Sequence, residues 1–152
     1  MEYFPLFADL TGEPVLVVGG GSVALRRIPR LLEAGARITL ISPVALPELK
    51  TLAVEGRILW IPRGYLEGDE ASFRLAFALT DDPKVNDRIA SRTGGPLTNV
   101  ATRTTVRPLT VPATRKGGSV VLAVACRPPD PERSRRLADL CLSEIRRRES
   151  HA

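Results

Sequence analysis

Histidine occurs once in these 152 residues, at His151, and cysteine twice, at Cys126 and Cys141. That supply is too small for a His/Cys metal centre, and no metal site is expected. The shortage of histidine also sets aside hydrolase triads that use imidazole as the base. The two cysteines read as small buried residues rather than as a disulfide pair. Aromatic residues make up only 5% of the chain. With no RNA- or DNA-binding motif present, nucleic acid is not the expected partner. No apolar run approaches the ~20 residues that span a bilayer. Met1-Glu2-Tyr3-Phe4-Pro5 has neither the basic start nor the apolar stretch of a signal peptide. The expectation is a cytoplasmic protein without a membrane partner.

The length fits one domain with a small appended lobe. The formal net charge is +5, and much of the positive charge sits in two clusters, Arg133, Arg135, Arg136 and Arg146, Arg147, Arg148. Such clusters form a solvated helix face or draw an anionic partner. An anionic small molecule is the more economical partner.

The densest signal is Val15-Leu16-Val17-Val18-Gly19-Gly20-Gly21-Ser22-Val23-Ala24. An apolar run leads into Gly-x-Gly-x-x-Ala, an arginine-rich helical pattern follows, and a second apolar run begins at Ile38. Strand, glycine turn, helix and strand in that order hold a dinucleotide at the edge of a parallel sheet. Gly19 lets the chain leave the strand tightly, Gly21 lets a pyrophosphate approach the backbone, and Ala24 keeps the helix close to the strand. The helix-start amides and the helix dipole then favour the phosphate charge. An acid about 20 residues past the glycines usually grips the ribose of NAD. Here Ser42, Pro43 and Val44 occupy that place, with Arg26 and Arg27 adding positive charge. These residues do not choose between NAD and NADP.

The periodicity predicts strands near 15–19, 37–42, 58–61, 75–79 and 97–100, with helices at 22–34, 46–54 and from Pro83 to Arg92. Asp82 caps the last of these, with Pro83 at its first position. A short helix is expected over Asp69–Phe73, a kink at Pro29, and a helix stop at Gly35. Strands alternating with helices imply an α/β fold, a Rossmann-like parallel sheet with helices on both faces. After residue 100 the alternation ends. A polar, threonine-rich stretch runs to Pro112, and Lys116-Gly117-Gly118 signals a turn. A strand over Ser119–Ala125 follows, then a helix begun by Asp130-Pro131, with Leu137, Leu140, Cys141 and Ile145 as its apolar stripe. One strand and one helix are too small to fold alone. The reading is therefore a nucleotide-binding domain over 1–101 and a dimerisation and cleft segment over 102–152, within a homodimer.

Tyr3-Phe4-Pro5-Leu6-Phe7, the glycine turn, Leu31-Leu32-Glu33-Ala34-Gly35-Ala36, Glu55-Gly56-Arg57-Ile58, Thr80-Asp81-Asp82, Val85-Asn86 and Asn99-Val100 follow one another over nearly the first hundred residues. Together they resemble the NAD-dependent precorrin-2 dehydrogenases, a family that includes the N-terminal module of multifunctional siroheme synthases and the yeast bifunctional dehydrogenase–ferrochelatase. The resemblance implies oxidation of precorrin-2, a tetrapyrrole with eight carboxylates, to sirohydrochlorin, with hydride passed to NAD. It also implies a homodimer. By position, Gly19, Gly20, Gly21, Ser22 and Val23 would hold the pyrophosphate, and Ser42, Pro43 and Val44 would lie by the adenosine ribose. Thr80 and Asp81 would lie near the nicotinamide.

The second half departs from that pattern. Where the family reads Asn-Val-Val-Asp, with the aspartate as the candidate for proton handling, this chain reads Asn99-Val100-Ala101-Thr102. No carboxylate occurs between Asp87 and Asp130, and a threonine is no general base near neutral pH without activation. Asp130 replaces a serine of the family's later segment. It reads as a helix N-cap, or as a carboxylate brought to the site by a partner subunit. Thr102 and Asp130 are thus the candidate catalytic groups, and Arg103, Arg107 and Arg115 the candidate clamps for substrate carboxylates. Two activities remain open: NAD-dependent precorrin-2 dehydrogenase, and an inactive relative that binds NAD or a tetrapyrrole as carrier, sensor or partner of a haem-pathway enzyme. A basic nucleic-acid-binding module ranks below both.

Overall fold

The computed structural model describes residues 4–91, 97–100 and 109–149. The chain separates into two compact units, Met1–Leu109 and Thr110–Ala152. The first unit alternates strand and helix: β1 (Pro14–Gly20), α1 (Ser22–Glu33), β2 (Arg37–Ala45), α2 (Pro47–Val54), β3 (Ile58–Ile61), β4 (Leu75–Ala78), α3 (Pro83–Ala90) and β5 (Leu97–Val100). Its five strands lie in the order β3-β2-β1-β4-β5, all parallel. This is the Rossmann-like sheet read from the sequence. The crossover from β3 to β4 reverses the strand order beside β1, which places a crevice at the carboxyl ends of β1 and β4.

β1 is apolar throughout because both of its faces are covered. Leu16 and Val18 point into a core with Ile41, Ala76, Ala78, Ile89 and Val100. Val15 and Val17 point the other way, toward the face on which α1 buries Ala24, Ile28 and Leu31. Burying each such large aliphatic side chain contributes roughly 1.5–3 kcal/mol. α1 runs through Pro29 without a break, although the proline has no amide to donate to the Leu25 carbonyl. Gly35 ends the helix at φ +81°. There Gly35 N donates to Leu32 O and Ala36 N to Leu31 O.

The segment over Asp69–Phe73 is a series of turns, not a short helix. The Asp69 carboxylate accepts from Leu66 N at 2.8 Å and from both Arg63 guanidinium nitrogens at 2.7 Å. That local bonding fixes the chain in turn geometry in place of a helical ladder. The Arg63 contact also holds the Asp69 carboxyl below its ordinary range, with the Leu66 amide helping.

The second unit is a hairpin and a helix: β6 (Ala113–Gly117), β7 (Val120–Val124) and α4 (Pro131–Glu149). β6, which pairs antiparallel with β7, has no counterpart in the sequence reading. Ala113-Thr114-Arg115-Lys116 carries no apolar alternation, and its strand state comes from pairing with Val120–Val124. The buried stripe of α4 is Ser134, Ala138 and Leu142, one residue out of phase with the anticipated one. Leu140 and Cys141 are exposed, and Cys126 is half-buried. The small residues let the helix lie close to the hairpin: a β-carbon at Gly117 would come within 2.5 Å of Leu142 Cδ1. Among the described residues no helix is long and apolar enough to cross a membrane.

Candidate functional site

The glycine turn is held from both sides by backbone. Gly19 has φ +108°, and a β-carbon there would lie 2.6 Å from the Leu79 carbonyl oxygen and 2.9 Å from Thr80 N. A β-carbon at Gly20 would meet the Val44 carbonyl oxygen and stand 2.8 Å from Ala45 Cα. Leu79 N donates to Val18 O at 2.8 Å, and Leu46 N to Gly20 O at 3.0 Å. The ends of β1, β2 and β4 therefore converge, and no side chain fits between them at Gly19 or Gly20. Gly21 differs. It is exposed with φ −88°, and nothing lies within 4 Å of where its β-carbon would be.

Gly21 is also the N-cap of α1, and no side chain caps the helix there. Ser22 is exposed and Val23 half-buried behind it. The leading amides of α1 thus meet the open side of the turn without an intramolecular acceptor from a capping side chain, the arrangement that suits a pyrophosphate. These residues fit a dinucleotide. The geometry brings together Gly19, Gly20, Gly21, Ser22 and Val23 with Ser42, Pro43 and Val44 on one flank and Thr80 and Asp81 on the other.

Ser42 is not turned outward as a free ribose ligand. It is buried, its hydroxyl donates to Val44 O at 2.7 Å, and its carbonyl accepts from Trp60 Nε1 at 3.0 Å. It shapes the β2 extension, while Pro43 and Val44 form the exposed rim. The positive charge anticipated beside the ribose is also redistributed. Arg26 is exposed, but Arg27 leans over the Phe77 ring on β4, with its guanidinium carbon 5.6 Å from the centroid. Burial lowers the Arg27 pKa, and the nearby Arg30 and Arg26 charges lower it further.

On the β4 flank, Thr80 is tied to Asn86, which is fully buried on α3. Asn86 Oδ1 accepts from Thr80 N at 3.1 Å and from the Thr80 hydroxyl at 2.8 Å, and Asn86 Nδ2 donates to Thr80 O at 2.8 Å. Asp82 caps α3, accepting from Lys84 N at 2.8 Å, while Asp81 is exposed. Asn86 carried no assigned role in the sequence reading. Its signal was a polar residue on the apolar stripe that Val85 and Ile89 mark out, because a buried amide in such a stripe requires specific partners.

Of the candidate catalytic groups, Thr102 lies outside the described residues, as do Arg103 and Arg107. Asp130 belongs to the second unit, where its Oδ1 accepts from Arg133 N at 2.8 Å and its carbonyl accepts from the Ser134 hydroxyl at 2.7 Å. Arg115 is engaged by Asp139, with contacts of 2.6 and 2.9 Å, and by the Thr114 carbonyl. It is not a free clamp. Among the described residues no group of three or more His, Cys, Asp or Glu side chains is placed to hold a metal ion.

Comparison with known proteins agrees with this geometry. A siroheme synthase of Neisseria meningitidis serogroup C is 44% identical over 89 residues, covering 59% of this chain and 18% of that protein. One from Azotobacter vinelandii is 43% identical over 90 residues, covering 59% of this chain and 19% of that protein. The chain thus matches less than a fifth of the length of these curated relatives. Among solved structures, SirC, a precorrin-2 dehydrogenase, superposes with a TM-score of 0.82 at 27% identity, covering 93% of this chain and 71% of the other. A family model described as "Putative NAD(P)-binding" matches residues 6–113, and the chain belongs to that NAD(P)-binding family.

Proposed function

We propose that this protein is an NAD-dependent precorrin-2 dehydrogenase. The observation that carries the proposal is the backbone clasp around Gly19 and Gly20 beside an open, uncapped Gly21, in a chain whose first unit resembles the siroheme synthases. The reaction removes a hydride and a proton from the tetrapyrrole to give sirohydrochlorin. NAD, when bound, accepts the hydride. The chain itself positions the nucleotide and orients the substrate, and one group or solvent must take the proton. Positive charge suits a substrate with eight carboxylates. On the second unit, Arg135 and Arg136 line an open concavity of about 580 Å³ with Glu132, Leu140 and the paired Arg115 and Asp139, which leaves a net positive lining. The homodimer belongs to the same proposal, and it gives the exposed Val121 of the second unit a surface to cover.

A second reading is an inactive relative that binds NAD or a tetrapyrrole without turnover. Its support is specific: Thr102 occupies the position of the family aspartate, and no carboxylate lies between Asp87 and Asp130. One assay separates the two. NADH formation from precorrin-2 is followed with the natural chain and with Thr102→Asp. Turnover by the natural chain supports the dehydrogenase. Turnover by the variant alone establishes the inactive relative, and NAD binding measured by calorimetry without turnover in either points the same way.

A further inference from the structure

We infer that Asn86 is a positioning residue for the nucleotide, acting through Thr80 on the β4 side of the glycine turn. This rests on the nucleotide-binding reading above and adds to it the device that sets the width of the crevice.

The argument starts from cost. A carboxamide taken out of water among apolar side chains is unfavourable unless its donors and acceptors find partners. Asn86 is fully buried on α3, flanked by Val85 and one turn from Ile89, both of which pack into the core. Packing alone would favour an apolar residue at this position. Three of the hydrogen bonds of Asn86 go to a single residue, and they take the Thr80 amide, hydroxyl and carbonyl together. The Thr80 hydroxyl also accepts from Asp82 N at 3.2 Å, which joins the turn to the cap of α3. Both peptide groups of Thr80 are therefore fixed to α3 rather than left to rotate.

Thr80 is also where β4 meets β1. Its amide nitrogen lies 2.9 Å from the β-carbon position of Gly19, the residue that opens the glycine turn. A Thr80 peptide that swung toward β1 would close the space that Gly19 leaves by having no side chain, and one that swung away would widen the crevice. Because the amide, hydroxyl and carbonyl of Thr80 are all bonded within the protein, its contribution to the nucleotide is its position, and Asn86 sets that position.

The test compares Asn86→Ala with Ile89→Ala, which removes packing from the same helix without touching Thr80. Thermal melting and NAD affinity by calorimetry are measured on the full chain, well below each melting temperature. Both variants are expected to melt lower, but only Asn86→Ala weakens NAD binding, by about tenfold. Thr80→Val, which replaces the hydroxyl with a methyl of similar size, is expected to weaken NAD by about threefold. This variant serves even if Asn86→Ala does not fold. Where both fold, the double variant should lose less affinity than the product of the two single losses. Asn86→Ala binding NAD like the natural chain, Ile89→Ala weakening it equally, or Thr80→Val leaving it unchanged would each overturn the inference alone. A natural chain that binds no NAD would remove the nucleotide reading as well.

Discussion

Gly19 leaves no room for a side chain against Thr80: the Thr80 amide nitrogen lies 2.9 Å from where a Gly19 β-carbon would be, and the Leu79 carbonyl oxygen 2.6 Å away. With φ at +108°, position 19 also lies in a region that side-chain-bearing residues seldom adopt. Gly19→Ala is therefore expected to cost about 1–3 kcal/mol in strain alone and to abolish NAD binding. Denaturant unfolding and calorimetry read the two effects. A stable variant with normal affinity would show that β1 and β4 part easily.

Gly21→Ala makes the opposite prediction. Its φ of −88° suits any residue, and nothing lies within 4 Å of the added carbon. Stability should stay within about 0.5 kcal/mol, as for an ordinary surface change. The added methyl lies where a pyrophosphate would approach the amides of α1, so NAD affinity should fall about tenfold or more. An unchanged affinity would place the phosphate elsewhere.

Asp130 serves α4 as a cap through Arg133 N. Asparagine offers the same acceptor, so Asp130→Asn should keep both the melting temperature and any turnover, while Asp130→Ala should lose about 1 kcal/mol. Turnover lost in Asp130→Asn at an unchanged melting temperature would reveal a proton-handling role instead.

The Arg63–Asp69 pair predicts a specific response to acid. Arg63 holds the folded-state pKa of Asp69 below its ordinary 3.8, so the unfolded chain takes up this proton first as pH falls. The stabilisation is complete above about pH 4 and disappears as pH drops through the depressed folded value. In Asp69→Asn that part of the acid sensitivity should vanish. Because Arg63 is over a third exposed, solvent screening keeps the change small. Acid titrations of melting temperature for the two chains, if they run parallel below pH 4, would contradict this.

The structure bears out the sequence most fully where local rules suffice. The Gly35 stop needed only the freedom of glycine at positive φ, and the Asp82 cap only an acceptor one residue before a proline. Where a residue's state depends on a distant partner, the sequence was silent or misleading. β6 exists because β7 pairs with it. The stripe of α4 is set by how closely Leu142 approaches Gly117. The sequence places Ser42 at the end of the second strand, but that its hydroxyl donates to Val44 O and its carbonyl accepts from Trp60 Nε1 depends on the fold.

The glycine turn shows the division within a single feature. Val15 through Ala24 by themselves determined a strand, a tight exit and a helix start with free amides, because each depends on the intrinsic geometry of residues adjacent in the chain. That Gly19 stands against Thr80, that Gly20 stands against Val44, and that Asn86 ties Thr80 into α3 was decided only by the tertiary structure. Those contacts join residues from strands and helices that only the packing of the sheet brings together.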